Sequence, residues 1–132
     1  MKSCIDPDIL RRVVGNDSEL LREVLEDFVR HAQSEIIAIR AAFVGQDAEQ
    51  MKIPIHRLKG SASLVGAYQV VDACAQLEAA AGANNWSMIH QLMPRLDWLT
   101  RRSADQSNDL VTSLRSPWSV ACIIATLERS SR

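Results

Sequence analysis

Apolar residues recur along this chain at steps of three and four, the period of a helix with one buried face. One stripe runs through Leu21, Val24, Leu25, Phe28, Ala32, Ile36, Ile39 and Phe43 as far as Gly45. Asn16, with Glu19 three residues on, has the pattern of a capping box and predicts the start of this long helix. Asp47 and Gln50 repeat the signature, and Met51, Ile55, Leu58, Ala62 and Val65 follow as the seam of another helix, closed by Gly66. A further helix is expected over Tyr68 to Ala81, with Val70, Val71, Cys74, Leu77 and Ala81 buried and Gly82 after it. The next starts at the Asn84-Asn85 cap and turns Ile89, Leu92, Leu96 and Leu99 inward. Ahead of these, Asp6-Pro7 opens a short helix with Ile9, Leu10, Val13 and Val14 on one side, stopped by Gly15. Short links make successive helices antiparallel neighbours, so the expected fold is all-α, an up-and-down four-helix bundle with a short leading helix.

Pro54 and Pro94 fall inside these patterns, and each should kink its helix or mark a later start. After about Ser103 the sequence turns polar, and a last apolar stretch runs from Trp118 to Leu127 behind Pro117. The expected division is a bundle domain over 1–103 and a C-terminal tail over 104–132, read as an extra helix, a partner-binding segment or disorder. The 132 residues are 47% hydrophobic, enough for one domain with its own core. The formal net charge of -1, with both signs interspersed, points away from nucleic acid and anionic membranes as partners. Cys4, Cys74 and Cys122 are odd in number and widely spaced, which suits reduced thiols in a cytoplasmic protein. Met1 to Asp6 lacks the apolar run of a signal peptide, and no segment reaches the roughly 20 apolar residues of a membrane span.

The chemically informative stretch is His56-Arg57-Leu58-Lys59-Gly60-Ser61-Ala62-Ser63-Leu64-Val65-Gly66-Ala67. At about 100° per residue, His56 lies opposite Leu58 and Val65 and therefore faces out, with Lys59, Gly60 and Ser63 on its side. A neutral imidazole nitrogen is a nucleophile near neutral pH, and an outward one can attack the phosphorus of an aspartyl phosphate on a docked partner. Lys59 sets a positive charge beside the transferred group, and Gly60 removes a side chain that would block the partner. Phosphoryl transfer needs mainly alignment and charge neutralisation, much of which a partner can bring. The sequence has no Gly-x-x-x-x-Gly-Lys-Ser/Thr loop, so nothing suggests ATP as its own donor.

This stretch resembles the His-x-Leu-Lys-Gly-Ser/Ala-x-x-x-x-Gly-Ala/Leu signature of histidine-containing phosphotransfer domains of bacterial phosphorelays. The resemblance extends over roughly Ile5 to Leu99, taking in Asp6-Pro7, Glu23-x-x-x-x-Phe28 and Gln76-Leu77-Glu78. It implies that His56 is phosphorylated, that Lys59 assists the phosphate and that Gly60 leaves room for docking. Some members place a glutamine where this chain has Glu78, which makes Glu78 a candidate support residue able to orient the imidazole. Pro54 and Ile55 depart from the usual pattern just before the histidine. The implied function is a phosphocarrier with no kinase activity, metal or cofactor of its own. It would act as a monomer between the receiver domains of a hybrid sensor histidine kinase and a response regulator.

Arg57 and Lys52 are read either as solvated charges or as contacts to the acidic rim of a receiver. His31 and His90 lack neighbours at metal-ligand spacing and are assigned no role. Trp86, Trp98 and Trp118 are read as core or boundary aromatics, and Met88 and Met93 as packing residues. The alternatives are a helical bundle that binds receivers without transfer, and the dimerisation domain of a histidine kinase, which requires an adjacent ATP-binding domain.

Overall fold

The structure, a computed structural model, describes residues 17–113 together with Ile5, Arg12 and Gly15. Four helices account for almost all of it: α1 Ser18–Val44, α2 Ala48–Leu64, α3 Tyr68–Gly82 and α4 Trp86–Ser113. The packing closes a ring, with α1 against α2, α2 against α3, α3 against α4 and α4 back against α1. This is the expected four-helix bundle. Its core takes Leu21, Leu25, Phe28, Ala32 and Ile39 from α1, Met51, Ile55, Leu58 and Ala62 from α2 with Val65 just past its end, Val70, Cys74 and Leu77 from α3, and Ile89, Leu96 and Leu99 from α4. No helix among the described residues is long and apolar enough to cross a membrane.

The three links, residues 45–47, 65–67 and 83–85, share one construction. The middle residue is left-handed in each: Gln46 at φ 54°, Gly66 at φ 71° and Asn84 at φ 54°. The two N–H groups from the middle residue onward bond back to carbonyls of the finished helix. They run Gln46 to Phe43 and Asp47 to Ala42, Gly66 to Ser63 and Ala67 to Ala62, Asn84 to Ala81 and Asn85 to Ala80. This paired closure satisfies carbonyls the helix leaves open. The third link residue then starts the next helix. Asp47 Oδ1 accepts from Gln50 N–H at 3.1 Å and Asn85 Oδ1 from Met88 N–H at 3.2 Å, whereas Ala67 offers no side-chain cap.

Several expectations need correction. Of the glycines at the ends of the first three long helices, Gly66 alone occupies the left-handed position, because Gly45 and Gly82 fall before it and leave it to Gln46 and Asn84. The first long helix is capped by Asp17 in place of Asn16, its carboxylate accepting from Leu20 N–H at 3.0 Å. Glu19 pairs with Arg22 at 2.7 Å. Pro54 and Pro94 mark no later start, since α2 and α4 begin well before them. Each removes one donor, toward the carbonyl of Gln50 or His90, and both of those residues are exposed to water.

Helix α4 crosses residue 103, the expected end of the domain, and continues to Ser113. The polar run from 103 stays helical, with two hydroxyls turned onto the helix's own backbone: Ser107 Oγ donates to the Ser103 carbonyl at 2.9 Å, and Thr112 Oγ1 to that of Asn108 at 3.0 Å. Residues 114–132, with the apolar stretch from Trp118, lie outside the described residues, as does the leading helix apart from Arg12. Gly15 is left-handed at φ 57°, as expected of a helix stop, and Ile5 is buried in the core.

The link geometry has a measurable consequence. Gln46→Gly should stabilise the protein by about 0.5–1 kcal/mol by relieving a side chain in the left-handed region, while Gly66→Ala should cost about 1 kcal/mol. Thermal melts of the two variants should therefore move in opposite directions, and shifts of the same sign would contradict this account of the links.

Candidate functional site

His56 stands on α2 with its side chain 74% exposed, although Ile55 and Leu58 beside it are fully buried. Lys59 follows three residues on, and its Nζ reaches the carboxylate of Glu78 on α3, 2.8 Å from Oε1. The same Oε1 is 3.7 Å from His56 Nδ1, too far for a hydrogen bond but close enough to turn that edge of the ring toward the carboxylate. Oε1 is shut off from solvent, and Lys59 meets it as an ion pair without hydrogen-bonding alignment. Helical side chains lean toward the N-terminus of their helix, which lets Lys59 share a carboxylate with a residue one turn earlier.

Gly60 lies on the same exposed side, and a Cβ built on it would meet nothing within 4 Å. Ser63, also exposed, donates through Oγ to the Lys59 carbonyl at 3.0 Å. A shallow groove beside the imidazole is lined by Lys52, Ile53, His56, Arg57 and Glu78. Lys52 is tied to Glu49 of its own helix at 2.6 Å, and Arg57 leans the other way, with Nη1 4.0 Å from Glu35 Oε1 on α1. The structure thus gathers His56, Lys59 and Glu78 into one cluster, keeps Lys52 and Arg57 at its margin, and sets Gly60 and Ser63 along the helix from it.

Three residues around this site were not singled out from the sequence. Ile53 is 60% exposed in the groove, and Leu64 is 61% exposed more than two turns beyond the histidine on α2. Both fall off the buried seam of α2, and that misfit is a signal the periodicity does contain. Glu35 had no such signal, since its partner Arg57 is on another helix. His90, assigned no role, packs edge-on to Phe43 with ring centres 5.0 Å apart and also against Trp86. Trp98 is more than half exposed and carries the Arg102 guanidinium over its ring at 5.2 Å. Met93 is buried and Met88 exposed.

Cys74 sits on α3 one turn before Glu78 and is fully buried. Its thiol is pushed up from 9.0 to about 12, by burial first and by the Glu78 carboxylate second, against the opposing pull of Lys59. A thiol held neutral in this way is packing, not a nucleophile.

Among known proteins, the family described as Hpt domain matches residues 23–115. The chain is 30% identical over 101 residues to the virulence sensor protein BvgS of Bordetella parapertussis, and 30% identical over 101 residues to BvgS of Bordetella pertussis. Both alignments take in 76% of this chain but only 8% of the relative, so the chain spans a small part of their length. The crystal structure of histidine-containing phosphotransfer protein B (HptB) from Pseudomonas aeruginosa PAO1 shares the fold with a TM-score of 0.74. It covers 83% of this chain and 95% of that one, at 20% identity.

The buried thiol sets a pH dependence. In the unfolded chain Cys74 ionises near 9.0 while the folded protein resists to about 12, so its contribution to stability is complete below 9.0 and lost as pH rises toward 12. Urea melts at about pH 8 and about pH 11 should show a steeper loss for the wild type than for Cys74→Ala. Parallel losses would mean that the thiol does not titrate in this way.

Proposed function

The chain belongs to the Hpt domain family, the phosphocarrier modules that work with receiver domains in phosphorelays, and on that premise we propose that its phosphoacceptor is His56. The observation that carries this reading is an outward imidazole on a helix whose opposite face is buried, beside Lys59 and one turn from the open space over Gly60. The lone pair of Nε2, the ring nitrogen away from Glu78, attacks the phosphorus of an aspartyl phosphate on a docked receiver. A P–N bond forms as the P–O bond breaks, and the aspartate departs as a carboxylate. The same exchange in reverse delivers the phosphoryl group to the aspartate of a response regulator.

Lys59 neutralises charge on the group in transit, the term that matters most in a transfer with little covalent demand on the protein. Gly60, Ser63, Ile53 and Leu64 form the floor on which a receiver rests, with Lys52 and Arg57 set to meet acidic groups at its edge. The donor is the receiver of a hybrid sensor kinase, in keeping with the similarity to one segment of BvgS. The domain acts in the cytoplasm as a single copy and needs no nucleotide, metal or cofactor of its own.

His56→Gln should remain folded and accept no phosphate, because the exposed ring contributes little packing and an amide has no nucleophilic nitrogen. Acid-labile, base-stable label retained on that variant would refute the assignment, and a wild type that binds a phosphorylated receiver but takes no label would be a scaffold. Lys59→Ala should slow transfer without abolishing it, by about tenfold for one charge-assisted contact of partly exposed groups. Gly60→Gln separates docking from chemistry: transfer from a receiver should fall by roughly a hundredfold, since a displacement of about 1 Å suffices, while labelling by phosphoramidate persists. Equal loss with both donors would move the docking surface elsewhere.

A further inference from the structure

Glu78 Oε1 faces two groups of the site at once, Lys59 Nζ at 2.8 Å and His56 Nδ1 at 3.7 Å. The pair it makes with Lys59 is not an ordinary surface contact. Both side chains are 29% exposed, and Oε1 itself touches no solvent. Charges placed there are screened less than charges in open water. The other ionisable groups of the groove are engaged elsewhere: Lys52 is held by Glu49, and Arg57 faces Glu35. Lys59 is therefore the cation that shares the imidazole's carboxylate, and in the resting domain it already has that anion.

Phosphorylation changes this balance. With a neutral imidazole, one ammonium faces one carboxylate and the cluster is close to neutral. A phosphoryl group adds on the order of two negative charges at neutral pH. Lys59 then stands between two anions and cannot neutralise both. If it swings to the phosphoryl group, Glu78 is left with a buried, unpaired oxygen; if it stays, the phosphoryl group loses its cation.

We propose that Glu78 competes with the phosphoryl group for Lys59, and so shortens the life of phosphorylated His56 and poises the domain to pass the group on. This deepens the acceptor assignment and rests on it. Glu78 is a positioning residue here, acting through Lys59 and making no bond to phosphorus. The transfer step itself is unchanged: the P–N bond still breaks as the receiver's aspartate oxygen takes the phosphorus, with the electron pair returning to Nε2. What Glu78 alters is the starting level of that step.

The test is a double-mutant cycle on the whole chain, with wild type, Glu78→Gln, Lys59→Ala and the double variant labelled by one phosphoramidate. Two quantities are read: the half-life of the phosphohistidine, and the share of label left on the domain at equilibrium with a receiver. Gln keeps the volume of Glu, and thermal melts check that all four proteins are folded. Glu78→Gln should lengthen the half-life by about three- to tenfold and shift the equilibrium toward the domain by a similar factor, the range expected for a partly screened charge. In the Lys59→Ala background the same change should have less than half that effect, since no cation is left to compete for. An unchanged or shorter half-life in Glu78→Gln overturns the proposal, and so does an equal effect in both backgrounds, which would mean direct repulsion alone. A wild type that takes no label would instead overturn the acceptor assignment, and this proposal with it.

Discussion

Met51, Ile55, Leu58 and Ala62 have no exposed surface, and keeping them dry is the constraint on which the rest of the site depends. Each large apolar side chain in such a stripe contributes about 1.5–3 kcal/mol through burial. Rotating α2 by one residue, about 100°, would carry that stripe toward solvent, at a cost no polar contact in the groove could offset. The orientation of His56 follows without any interaction of its own. The imidazole is outside because its helical neighbours must be inside, and so it stands open to a partner with most of its surface exposed.

The links carry the second half of the geometry. A three-residue connection with a left-handed centre returns the chain antiparallel against the helix it has just left, and the 65–67 link does this for α2 and α3. That return brings Glu78 across to Lys59, which joins two otherwise independent helix faces into one charged cluster. Where Gly66 serves, the conformation is without strain, whereas Gln46 and Asn84 accept it at some cost. The site's link is the one built from glycine.

Much of this was legible in the sequence because it depends on local period and local caps. The buried seam of α2, the Asp47 cap, the Gly66 stop and the outward position of His56, Lys59, Gly60 and Ser63 all follow from spacing along one helix. The misreadings have physical causes. Gly45 and Gly82 attract attention as helix stops, but a left-handed position tolerates asparagine and even glutamine when two backbone hydrogen bonds reward it. The serines after 102 look like the start of a tail, yet a hydroxyl that bonds its own helix can be buried within it, as Ser107 is. Pairings between helices, Arg57 with Glu35 and Lys59 with Glu78, leave no trace in local spacing. Glu78 came into view only through a family resemblance, and its grip on Lys59 only through the structure.

Receipt of the phosphoryl group by one outward imidazole is what we propose for this domain. It is tested most directly by mapping the modification on the wild-type chain, labelled by a phosphorylated receiver and fragmented by tandem mass spectrometry under conditions that preserve phosphohistidine. The expected result is a single phosphoryl group on His56. A phosphoryl group on His31 or His90, or a labelled chain whose fragments around His56 are unmodified, would contradict it.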